Sequence, residues 1–158
     1  MADKIRVMIP EEEVLTRIEE LGKQISEDYA GKQVHLICVL KGSVFFVCEL
    51  AKRITVPVSM DFMSVSSYGS ETKSSGIVKI VKDLDEPLKG KDVIVVDDMI
   101  SSGDSVIDVA QQLKEKGANR IFVFATFGLF CNGLANLDKA YQDGVIHKIF
   151  TTNLVYRT

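Results

Sequence analysis

A chain of 158 residues, 46% hydrophobic and 26% charged, has the length and balance of one globular domain with a single substantial core. Its net charge of −3, with Lys and Arg scattered, leaves no electrostatic footprint for nucleic acid. No apolar run approaches the length of a membrane span, and the N-terminus lacks the form of a signal peptide. Cys38, Cys48 and Cys131 stand in apolar contexts without CxxC spacing, which predicts buried, reduced thiols and a cytoplasmic protein. His35 and His147 stand alone, without metal-ligand spacing, and read as structural histidines.

In chain order, IPEEEVLTRIEELGKQISEDYAGK (9–32) predicts a helix with Val14, Ile18, Leu21 and Ile25 in one apolar stripe. Pro10 and three glutamates favour its start, and Gly31 follows it. VHLICVL (34–40) is a short apolar run suited to a buried parallel strand. It runs into LKGSVFFVCELAKR (40–53), where Lys41, Gly42 and Ser43 make a strand-to-helix turn with Ser43 as helix N-cap. Backbone amides there, beside the Lys41 charge, suit an anion. VSMDFMSVSSY (58–68) alternates, with Val58, Met60 and Phe62 on one face and Ser59, Asp61 and Met63 on the other. SSYGSETKSSG (66–76) is the one polar, Gly/Ser-rich stretch and reads as a mobile hairpin tip. Strand IVKIVKDL (77–84) and the turn EPLKGK (86–91) lead into the stretch with the densest chemistry.

That stretch is VIVVDDMISSGDS (93–105). Four β-branched residues predict a fully buried strand, closed by Asp97 and Asp98. A small-residue loop follows, and a helix opens at Asp104. Backbone amides of Ser102, Gly103, Asp104 and Ser105 can point at a phosphate with the helix dipole behind them. The Ser102 and Ser105 hydroxyls add donors, and Gly103 permits close approach. Asp97 and Asp98 sit where acceptors are needed, for ribose hydroxyls or a phosphate-bound Mg²⁺. The helix DSVIDVAQQLKEKG (104–117) buries Val106, Val109, Ala110 and Leu113, with Gly117 suited to its C-terminal end. Strand RIFVFAT (120–126), helix LANLDKAYQDG (134–144) and strand HKIFTTNLVYR (147–157) complete the chain. Alternating strands and helices predict an α/β fold, a parallel-rich sheet covered on both faces with ligand sites at the strands' carboxyl ends.

The string at 93–105 resembles the phosphoribosyl pyrophosphate signature of type I phosphoribosyltransferases. LKGS resembles the pyrophosphate loop of the hypoxanthine-guanine phosphoribosyltransferases, where the peptide before the lysine is typically cis. The resemblance implies the type I phosphoribosyltransferase fold, with Lys41, Gly42 and Ser43 binding pyrophosphate and residues 102–105 binding the 5′-phosphate. It implies a mobile lid at Ser67, Tyr68 and Gly69, closing over substrate to keep water from an oxocarbenium-like state. Mg²⁺ is the implied cofactor, met by Asp97 and Asp98 indirectly, through ribose or water. The implied ligands are phosphoribosyl pyrophosphate, ribose 5-phosphate or a nucleoside monophosphate, and the implied assembly is a homo-oligomer, dimer or tetramer.

Residues 1–91 resemble the purine-salvage enzymes throughout, including GIVKIVKDLDEPLKGKDV (76–93). From residue 93, the runs DDMISSGDS, GANRIFVFATFGLFCNG and KIFTTNLVYR resemble the C-terminal domain of ribose-phosphate pyrophosphokinase. A single domain recombined near the central strand, a chimera, is therefore expected. Two departures bear on turnover. Where the purine transferases carry an aspartate believed to act as base at the purine, this chain has Ser101, which cannot take a proton near pH 7 as a carboxylate can. Their closing lysine strand and aromatic hood have no recognisable equivalent here; Phe127, Phe130 and Tyr156 are candidates to stack a base, with core packing the commoner use of each phenylalanine. Asp104 puts a negative charge inside a phosphate loop, with its side chain expected to point outward and support the helix start. The implied reaction is purine (hypoxanthine or guanine) phosphoribosyl transfer, impaired. The alternatives are a ribose-phosphate pyrophosphokinase-type activity, or a non-catalytic engineered chimera that binds ribose phosphates.

Overall fold

The computed structural model describes residue 7 and residues 9–67 and 78–154. Six strands form one sheet: β1 (Val34–Val39), β2 (Val58–Ser67), β3 (Val78–Lys82), β4 (Val93–Ile100), β5 (Ile121–Gly128) and β6 (Lys148–Leu154). Their order is β3-β2-β1-β4-β5-β6, with only the β2–β3 pair antiparallel. The parallel-rich α/β architecture expected from the strand–helix alternation is the one observed.

Strand parity builds two cores. In β4, Val93 and Val95 face one way, into the layer made with α3 (Asp104–Glu115) and α4 (Ala135–Gln142). Ile94 and Val96 face the other way, toward α1 (Glu11–Asp28) and α2 (Val44–Ala51). All four are at most 2% exposed, and each such side chain contributes about 1.5–3 kcal/mol on burial. The central strand is thus fixed in register by both layers, since a one-residue slip would exchange its faces.

The stripe on α1 begins later than its spacing suggested. Ile18 and Ile25 are buried, but Val14 is 43% exposed because no element covers the first turn among the described residues. Gly22 joins the buried face instead; a Cβ there would lie 2.8 Å from that of Arg53, so the missing side chain is what lets α1 approach the end of α2.

Candidate functional site

The chain leaves β1 toward β2 and β3 on one side and leaves β4 toward β5 and β6 on the other. The boundary between β1 and β4 is therefore the topological switch point, where crevices open beyond the strands' carboxyl ends. Both loops singled out from the sequence, 40–43 after β1 and 101–103 after β4, end there.

Asp97 and Asp98 do not close β4. The strand continues through them to Ile100, because Asp97, Met99 and Ile100 stay paired to Ala125, Phe127 and Gly128 of β5. The two carboxylates reach different parts of the site. Asp97 lines a concavity of about 300 Å³ with Ser101, Ser102, Gly103 and Ser105. Asp98 reaches across to the other loop. A Cβ built on Gly42 would lie 1.7 Å from Asp98 Oδ2, so the carboxylate occupies the space that glycine leaves open. Main-chain contacts hold the pair, with the Asp98 amide donating to Asp97 Oδ1 (2.8 Å) and the Thr126 hydroxyl to the Asp98 carbonyl (2.6 Å). Burial pushes the Asp97 carboxyl up to about 7, and the neighbouring Asp98 adds to the effect.

The loop read from the sequence as a phosphate cradle runs from β4 into α3. Gly103 sits at φ +97°, a left-handed conformation that glycine adopts without steric cost, and α3 opens at Asp104. One donor is spent internally, contrary to the four expected. The Asp104 amide bonds Ser102 Oγ at 3.3 Å, a short side chain folding back onto its own loop. The amides of Ser102, Gly103 and Ser105 make no hydrogen bond within the described residues. The Asp104 carboxylate, exposed, takes a bond from Asn136 Nδ2 at 3.4 Å, outside the concavity.

In the other loop, the Leu40–Lys41 peptide is cis, as the LKGS resemblance implied. Lys41 and Gly42 are exposed. Ser43 stands at the start of α2 but does not cap it with its side chain. Its hydroxyl is fully buried and donates to the Val39 carbonyl, with Cys38 Sγ 3.2 Å away, so it is not available to a ligand. Backbone at Ser43 is helical (ψ −7°) rather than extended, which aims the hydroxyl back at β1.

Ser101 is exposed, its Oγ 3.6 Å from Cys131 Sγ, and its carbonyl accepts the Cys131 amide at 2.9 Å. Cys131 is thus an exposed thiol rather than a buried one, because the run after β5 returns over the phosphate loop; Cys38 is buried and Cys48 half-buried, and all three are free. Phe130 packs on the core, whereas Phe127 is 38% exposed beside Met99 of β4, itself 47% exposed and lining the concavity. Met99 was not legible as a site residue; its one signal is its place in the pleat two positions after Asp97. Ser67 ends β2, while Tyr68, Gly69 and Tyr156 lie outside the described residues. Among the described residues no group of three His, Cys, Asp or Glu could hold a metal on its own, and no helix is long and apolar enough to cross a membrane.

The family described as phosphoribosyl transferase domain matches residues 10–141. The chain belongs to that family. A hypoxanthine-guanine phosphoribosyltransferase of Streptococcus thermophilus is 43% identical over 122 residues, covering 77% of this chain and 68% of that protein. One from Streptococcus agalactiae is 41% identical over 136 residues, 86% of this chain and 76% of the relative. That span is longer than residues 1–91, the part to which sequence motifs confined the purine-salvage likeness. A solved hypoxanthine phosphoribosyltransferase from Staphylococcus aureus superposes with a TM-score of 0.73 at 35% identity, covering 80% of this chain and 69% of that one. The mostly parallel, six-stranded sheet flanked by helices is the family's fold.

Proposed function

We propose that the protein is a hypoxanthine-guanine type phosphoribosyltransferase whose site holds phosphoribosyl pyrophosphate well and turns it over slowly. The observation that carries this is the division of Asp97 and Asp98 at the switch point: one lies in the concavity of the phosphate loop, the other against Gly42 of the LKGS loop. A substrate bearing a phosphate at one end of a ribose and a pyrophosphate at the other suits that spacing of parts. The amides of Ser102, Gly103 and Ser105, at the start of α3, hold the 5′-phosphate. Asp97 accepts from the ribose hydroxyls. Lys41 and the amides of Gly42 and Ser43 hold the departing pyrophosphate, and Ser67, Tyr68 and Gly69 close over the ribose.

Mg²⁺ fits the donor set in an indirect role. A carboxylate pair in which burial and a like charge hold Asp97 near neutrality is one that a divalent cation would favour as the dianion. One or two carboxylates with substrate oxygens are its usual protein partners. Bound through ribose or water to Asp97 and Asp98, it would supply neutralisation of the charge on the departing pyrophosphate.

The slow step is at the base. Ser101 and the adjacent Cys131 offer no carboxylate to the purine, and loss of a positioned acid or base costs ~10²–10⁴ in rate. Titration calorimetry with phosphoribosyl pyrophosphate, AMP, GMP and ribose 5-phosphate, beside an assay of hypoxanthine and guanine consumption with pyrophosphate release, tests both parts. Binding with weak transfer supports the proposal. Absence of binding overturns the site, and turnover near ~10 s⁻¹, typical of enzymes, overturns the impairment.

A further inference from the structure

The phosphate loop is braced by α4, which the site described above does not use. Asn136 and Leu137, two successive residues of its first turn, meet two successive residues of the loop. Asn136 Nδ2 bonds Asp104 Oδ1 at 3.4 Å, and Leu137 Cγ and Cδ2 lie 3.1 Å from where a Cβ on Gly103 would be. Asp104 is therefore aimed at the start of a second helix, whose amide dipoles also favour a negative charge.

The orientation matters because of the charges around the cradle. Asp97 lines it, and no Lys or Arg does so among the described residues. Asp104 follows Gly103 directly, at the same helix start that a phosphate would use. Turned inward, its carboxylate would compete with the phosphate for the α3 dipole and repel it; turned toward α4, it leaves the amides of Ser102, Gly103 and Ser105 to the ligand. We propose that Asn136 is a positioning residue that holds the Asp104 carboxylate off the phosphate cradle and so sets the affinity of the loop for a phosphate ester. This rests on the reading of residues 102–105 as the 5′-phosphate site. It makes Asp104 a brake on affinity whose strength depends on a residue 32 positions away.

The test is calorimetric titration of ribose 5-phosphate into the wild type, Asn136→Ala, Asp104→Asn and the double variant, with thermal melting to show that each is folded. Asn136→Ala is expected to weaken binding about two- to fivefold and Asp104→Asn to tighten it by a similar factor, the range of one charge at a helix terminus. In the Asp104→Asn background, Asn136→Ala should change nothing. The weakening should also shrink as salt is raised, since the screening length falls from about 10 Å at 0.1 M to about 3 Å at 1 M. A loss that persists in the double variant, or that ignores salt, assigns Asn136 a purely structural role and overturns the proposal. Ribose 5-phosphate binding that neither single variant alters overturns it while leaving the phosphate site standing. Failure of all four proteins to bind ribose 5-phosphate overturns the site itself.

Discussion

Replacing Gly42 with alanine tests whether the two halves of the site are joined as described. The new Cβ would lie 1.7 Å from Asp98 Oδ2, 2.3 Å from its Cγ and 2.9 Å from its Cβ. Ordinary contact needs about 3.5 Å between carbons, so the carboxyl end must swing away by roughly 2 Å into another rotamer. Asp98 is exposed, which gives it somewhere to go. The remaining Cβ–Cβ contact of 2.9 Å asks for roughly 0.6 Å from the loop. An overpacked site of this kind costs about 1–3 kcal/mol, and with one exposed partner the lower half of that range is expected. In an Asp98→Ala background the two shortest contacts vanish, so the cost of Gly42→Ala should drop by about 1 kcal/mol, within the usual range of coupling between touching residues. Urea denaturation of the four proteins measures this as shifts in midpoint at constant slope. Phosphoribosyl pyrophosphate binding should fall in Gly42→Ala, because Asp98 no longer faces the loop. Equal destabilisation in both backgrounds, or none in either, would mean that Asp98 does not occupy the space over Gly42, and the joined site would be wrong.

Three further outcomes follow from the geometry. Asp97 has its carboxyl raised from 3.8 to about 7, so the native state holds a proton that the unfolded chain releases, and stability falls as pH rises between those values. Asp97→Asn should accordingly raise the thermal midpoint at pH 8 but not at pH 4; a gain independent of pH refutes the burial argument. Gly103→Ala combines φ +97° with a 3.1 Å approach to Leu137 and should cost at least about 1–2 kcal/mol by denaturant titration, the usual penalty of a left-handed L-residue. An unchanged midpoint would show that the loop relaxes freely. If transfer is slow as proposed, Ser101→Asp should raise it only modestly in a coupled pyrophosphate assay; recovery to full enzymatic rates would place the proposed impairment at this one side chain.

Much of the fold was legible because its signals are local. Four β-branched residues at 93–96 read as a buried strand, and the apolar spacing of Val106, Val109, Ala110 and Leu113 gave α3 its buried face. The turn from β4 into α3 was legible because small residues and a glycine precede the helix start. Where the sequence misled, a partner distant in the chain decided the outcome. β4 runs past its carboxylates because β5 continues beside it. Polar residues after an apolar run otherwise look like a loop. Cys131 sits in an apolar run, yet its backbone is tied to Ser101, which holds it at the surface. Ser43 looked like a helix cap, but the carbonyl of Val39 claims its hydroxyl. Nothing in the local pattern of 134–144 announces that Asn136 and Leu137 reach the phosphate loop, since that contact arises only when α4 packs beside α3.

Phosphoribosyl pyrophosphate is proposed to bind at the carboxyl ends of β1 and β4. Amide chemical-shift mapping of the isotope-labelled protein, titrated with phosphoribosyl pyrophosphate and Mg²⁺, addresses it directly. The largest shifts should fall on Gly42, Ser43, Asp98, Ser102, Gly103 and Ser105. A second hollow, lined by His35 of β1, Ser59 of β2, Glu86 and Lys91, lies away from both loops and serves as an internal control. Shifts concentrated there, with residues 40–43 and 101–105 unmoved, would contradict the account.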